Sequence, residues 1–109
     1  MTEQQPQQRK YPRLVPPKTV VAAWQSGIQR GVSYIENIGL GGLLIRTKTP
    51  LPLRASVNLL LDMPVGQVRG RGIVRRIQGE KSTGVEIIAM DPEDRARLAR
   101  QLQELGAAA

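Results

Sequence analysis

Neither cysteine nor histidine occurs in this sequence. Without cysteine there can be no disulfide framework, zinc–thiolate site or thiol nucleophile. Without histidine the usual general base near neutral pH and the commonest metal ligand are gone. Phenylalanine is missing too, and one tryptophan and two tyrosines are the only aromatics. The core must therefore be aliphatic, and a platform for stacking nucleic-acid bases is lacking. No apolar run approaches the roughly 18 residues of a membrane-spanning helix. The polar, glutamine-rich start MTEQQPQQ resembles neither a signal peptide nor an anchor. These absences predict a soluble, cytoplasmic, non-catalytic protein with no metal, no cofactor and no membrane span.

What is present is a single domain's worth of chain, 109 residues, able to bury roughly two-thirds of the surface it exposes when unfolded. The balance of 16 Lys+Arg against 9 Asp+Glu leaves a formal charge of +7. Arginine predominates among the cations, and its planar guanidinium suits two-pronged recognition of phosphate oxygens and guanine edges. An anionic partner is favoured, although a solvated basic surface has the same composition.

Residues 1–8 are low in complexity and read as a disordered tail. Arg9-Lys10-Tyr11-Pro12-Arg13 and the pair Pro16-Pro17 follow. Proline lacks a donor and disfavours helix in the residue before it, so this stretch reads as an extended arm. From Thr19 to Ile88 short strands alternate with turns: TVVAAWQ, GVSYIEN, LLIRT, Ala55–Leu61, QVRGRGIVRRI and STGVEII. In the second, Val32, Tyr34 and Glu36 fall on one face and Ser33 and Ile35 on the other. The two glycines of the fifth suggest a bend or bulge. Six strands at near-regular spacing with no helix between them predict an antiparallel barrel. At Asp91-Pro92-Glu93-Asp94 the pattern changes to a helix start, with an N-cap aspartate and proline at the first turn. Leu98, Leu102 and Leu105 recur at helical spacing, giving a helix over about 91–105 that packs on the barrel. Gly106 is expected to stop it, leaving 106–109 frayed.

Two segments stand out as a pair. Arg9 and Arg13 form an RxxxR arrangement in the arm, and Asn37-Ile38-Gly39-Leu40-Gly41-Gly42 runs from a strand end into a glycine turn. In this order they resemble the signature of the PilZ family, RxxxR before the first strand and [Asp/Asn]-x-Ser-x-x-Gly between the second and third. The LLIRT run, Gly72 to Arg75, Gly84 to Ile87 and the final amphipathic helix extend the likeness across Arg9 to Leu105. The resemblance implies a six-stranded PilZ-type barrel over residues 9–105 that binds cyclic di-GMP. It further implies that binding moves the arm and presents a new surface to an effector protein. Arg9, Lys10, Arg13, Asn37, Gly39 and Gly42 carry over as ligand-binding residues. Arg46, Arg69 and Arg71 are secondary candidates on a basic strand face, with Arg75 and Arg76 beside them. Arginine can grip a guanine edge or a phosphate with two hydrogen bonds, and the Asn37 amide can both donate and accept.

Gly39 departs from the family pattern, which has serine there. A lost hydroxyl bond costs about 0.5–1.5 kcal/mol, or roughly 1.5–3 to a charged acceptor. Weakened binding is therefore expected, with Gly39→Ser restoring affinity. Two alternatives stand beside this reading. One is a barrel of the same fold that acts as a protein adaptor without the dinucleotide. The other is a small basic barrel that binds nucleic acid, against which the few aromatics argue. Other signals fail: Gly79-Glu80-Lys81-Ser82 has glutamate where a phosphate-binding loop needs glycine, and helix capping explains Asp91, Glu93 and Asp94.

Overall fold

Strand β1 (Val21–Ser26) turns directly into β2 (Gln29–Ile38), and β3 (Gly42–Arg46), β4 (Ser56–Met63), β5 (Gly66–Gln78) and β6 (Ser82–Ala89) follow before helix α1 (Pro92–Ala108). This computed structural model describes residues 12–64 and 66–108; the expected tail over residues 1–8 lies outside them. The strands pair antiparallel in the order β1-β2-β3-β6-β5-β4 and close into a barrel. The predicted all-β architecture with a C-terminal helix is the one formed. Closure gives every strand two neighbours, although residues 29–34 of β2 pair only with β1 and residues 66–70 of β5 only with β4.

Alternation along the strands fills the barrel. Ala22, Ile35, Leu43, Ile45, Leu61, Val68, Val74 and Val85 are buried in one aliphatic cluster, while Tyr34 and Val32 face out beside inward Ser33 and Ile35. Trp24 points inward and packs against the same cluster. Its indole nitrogen donates to Ser33 Oγ at 2.9 Å, satisfying the donor that burial would otherwise leave unpaired. The bend expected in the fifth strand is there: the β5–β6 register slips between Arg71 and Gly72 and again between Val74 and Arg76.

Helix α1 lays its leucine stripe on the barrel, with Leu98 fully buried and Leu102 and Leu105 packed against the core. Asp94 Oδ1 accepts the Arg69 backbone N–H at 3.1 Å, and Arg97 donates to the Gln67 carbonyl at 3.2 Å, so the first turns are tied to β5. Gly106 does not stop the helix, which runs on to Ala108. Glycine costs only about 1 kcal/mol relative to alanine inside a helix, and Ala107 and Ala108 behind it are the best helix formers.

Candidate ligand site at the arm and the glycine turn

The arm joins the barrel as one more antiparallel pairing. Leu14 N–H donates to the Ile38 carbonyl at 2.9 Å, and Ile38 N–H donates back to the Leu14 carbonyl at 2.8 Å. Pro16, two residues on, is buried. The bridge holds Arg13 beside the end of β2, where its Nη1 donates to Asn37 Oδ1 at 3.0 Å, partly buried, across 24 residues of chain. A charged donor in such a setting makes the stronger class of hydrogen bond.

The glycine turn closes through Gly39 N–H to the Gly42 carbonyl at 2.9 Å, and Gly41 accepts the Ile87 N–H at 2.9 Å. Gly39 and Gly42 are there for space rather than for unusual backbone angles. A Cβ on Gly39 would overlap the Pro12 carbonyl oxygen. One on Gly42 would overlap the Val85 carbonyl and lie 3.1 Å from Arg13 Nη2. Arg13 therefore lies over Gly42 while bonded to Asn37. Arg13, Asn37, Gly39 and Gly42 come together at one place. Arg9 and Lys10 lie outside the described residues.

The ladder decides which other arginines approach. Asn37 pairs with Leu44, Leu44 with Gly84, and Gly84 with Arg76, and the Arg76 Cβ packs over Gly84. The β5 arginine in register with Asn37 is thus Arg76. Its neighbour Arg75 donates to Glu86 Oε1 at 2.6 Å, and Glu86 is the partner of Gly42 on β6. Arg46 is bonded to Glu36 at 2.9 Å, a carboxylate that also accepts from Ser82 Oγ at 3.0 Å. Arg69 and Arg71 stand farther along β5, in the rows of Leu60 and Asn58 on β4.

Sequence reasoning did not single out Glu86, which only the ladder sets beside Gly42; Glu36, next to Asn37 in the chain, bonds Arg46 and Ser82 at the other end of β3. The Arg75–Glu86 pair beside Gly42 is half exposed on both sides. Such a pair contributes about 0–1 kcal/mol, so an anionic guest can displace its carboxylate at little cost. The site offers guanidinium donors, one side-chain amide and bare backbone around a shallow turn. That arrangement suits binding a small anion with purine-like edges. Among the described residues no group of acidic side chains is placed to hold a metal ion, and no helix is long and apolar enough to cross a membrane.

Known proteins of the same architecture include several solved structures. The inhibitor of motility MotI/DgrA of Bacillus subtilis is 25% identical with a TM-score of 0.66, over 89% of this chain and 53% of that one. The MrkH–c-di-GMP complex of K. pneumonia is 19% identical with a TM-score of 0.76, over 94% of this chain and 54% of that one. The PilZ domain of Escherichia coli YcgR with c-di-GMP is 15% identical with a TM-score of 0.72, over 94% of both chains. The chain thus spans about half the length of the first two and nearly all of the isolated domain. No curated protein matches it in sequence. Residues 7–104 match the family described as the PilZ domain, and with nearly the whole chain inside that match, this protein belongs to the PilZ domain family.

Proposed function

We propose that this chain is a cyclic di-GMP receptor that works as a non-catalytic adaptor, with Arg13, Asn37, Gly39 and Gly42 at its binding site and Arg9 and Lys10 reaching in from the arm. The observation that carries the reading is the Arg13–Asn37 hydrogen bond at 3.0 Å over Gly42. It joins the arm motif to the turn motif, as a ligand gripped by both requires. Solved relatives named as c-di-GMP complexes support the ligand. Arg13 and Asn37 bond each other in this structure, so a guest that draws on both groups exchanges that contact for its own. That exchange would reposition the arm ahead of Leu14 and change the surface shown to an effector protein.

Calorimetric titration with cyclic di-GMP tests the proposal. Wild type should bind, and Arg13→Ala and Asn37→Ala should each lose about tenfold or more, the effect of roughly 1.5–3 kcal/mol for a bond to a charged group. Wild type that gives no heat at high ligand concentration would leave the ligand-free adaptor. Gly39 favours that second reading, because it brings no hydroxyl to the turn.

A further inference from the structure

Away from the arm site, the outer face of β2, β1, β4 and β5 carries an apolar strip that the rest of the described chain leaves open. The registers define it. Val32 stands beside Ala23, Ala23 beside Leu60 and Leu60 beside Arg69, while in the next row Tyr34 stands beside Val21 and Val21 beside Asp62. The residues between them, Ala22, Ser33, Ile35 and Leu61, are turned into the barrel. Val32 is 70% exposed and Tyr34 54%. Strand propensity accounts for a single exposed valine or tyrosine. It does not account for two of them side by side, continued by the half-buried Val21, Ala23 and Leu60, which line open depressions on the neighbouring strands. Contiguous exposed apolar surface inside a polar rim is the mark of an interaction site.

The rim is basic. Two open depressions meet at Val32. Arg30 and Arg69 line the first, and Lys48 and Lys81 line the second, beyond Tyr34. The Lys18 ammonium lies 5.9 Å from the centre of the Tyr34 ring. Asp62 is the carboxylate within the strip, and Glu36 at its border is engaged by Arg46 and Ser82.

We propose that this face docks an acidic segment of a partner protein, with apolar side chains against Val32 and Tyr34 and carboxylates toward Arg30, Arg69, Lys48 and Lys81. Charge complementarity selects that occupant. A second copy of the chain would set one basic rim against another. A nucleic acid would lay phosphates on an aliphatic floor with one tyrosine to stack on. The inference is independent of the dinucleotide, because none of Arg13, Asn37, Gly39 and Gly42 belongs to this face.

The test is selection of a random dodecapeptide library, displayed on phage, against the immobilised full chain. The enriched peptides should interleave aspartate or glutamate with apolar residues. When synthesised and titrated by fluorescence polarisation, they should bind more weakly as salt rises. Val32→Ser and Tyr34→Ser, at exposed positions, should each weaken binding about tenfold or more. Ile28→Ser, at the fully exposed tip between β1 and β2, should change nothing, and all three variants should keep the heat of cyclic di-GMP binding shown by wild type. Failure of any peptide to enrich, enrichment of neutral or basic peptides, or indifference to Val32 and Tyr34 would overturn the proposal. So would binding of anionic phospholipid vesicles or random duplex DNA that depends on these two residues while the peptides fail.

Discussion

The carbonyl oxygen of Pro12 packs so closely on Gly39 that no side chain, not even a methyl, fits at position 39 while the arm is in place. Arg13 Cγ borders the same space, 3.2 Å from where a Cβ would stand. The glycine that departs from the family pattern is therefore what lets the arm lie flat on the turn. Sequence alone makes Gly39→Ser a gain, a hydroxyl restored to the site. With the arm seated here, the substitution first has to lift Pro12.

Gly39→Ser should accordingly loosen the arm. The Leu14 and Ile38 N–H groups bond across the arm junction, so their amide exchange should quicken by about tenfold or more, corresponding to roughly 1–3 kcal/mol of local overpacking. Exchange at buried barrel positions such as Val68 should be unaffected. Hydrogen exchange followed by NMR reads both, and unchanged rates at Leu14 and Ile38 would show that the arm yields to the side chain without cost.

Register also sorts the arginines. Arg76 shares the ladder row of Asn37 through Leu44 and Gly84, whereas Arg69 stands in the row of Leu60. If cyclic di-GMP sits over the turn, Arg76→Ala should lower its affinity several-fold, by about 1 kcal/mol. Arg69→Ala should leave it within twofold. Titrations of the two variants, side by side, decide the matter, and the opposite order would move the ligand toward β4.

At the barrel interior Gly31 lies opposite Trp24, and a Cβ there would come 2.9 Å from the indole Cζ2. The ring cannot simply swing away, because its N–H is held by Ser33. Gly31→Ala should cost about 1–3 kcal/mol. Ser33→Ala should cost less, about 1 kcal/mol, through the orphaned indole donor. Urea denaturation followed by Trp24 fluorescence gives both values.

Leu98 is fully buried under α1. Leu98→Ala should destabilise the chain by about 3–4 kcal/mol, the usual loss of a large buried side chain together with the cavity it leaves. The same denaturation experiment checks it, and a loss below about 1 kcal/mol would mean that the helix packs loosely on the barrel.

Much of the barrel could be read from local pattern. Period-two alternation in GVSYIEN already separates Ser33 and Ile35 from Val32 and Tyr34, and the leucine spacing after Pro92 already calls for a helix with one apolar stripe. The motif residues Arg13, Asn37, Gly39 and Gly42 were legible too, because their order along the chain is itself the signal. Strand length was less so: β2 and β5 extend past their expected ends, since hairpin pairing such as Gln29 with Ser26, Gly66 with Met63 and Gln78 with Ser82 holds residues that propensity alone would leave in turns. Gly106 likewise reads as a stop, yet the helix continues through it.

Composition and periodicity, then, settled which side chains share a face of a strand, that the core is aliphatic, and that a basic arm precedes a glycine turn; they did not keep Val32, Ile77 and Ile88 out of the expected core, although all three are exposed. These depend on each residue and its near neighbours. The sequence could not say that β3 would lie beside β6 and β4 beside β1, that the β5–β6 register would bring Arg76 rather than Arg69 into line with Asn37, or that Pro12 would occupy the space a serine needs. Those are relations between strands far apart in the chain, and they exist only once closing the barrel has fixed every register at the same time.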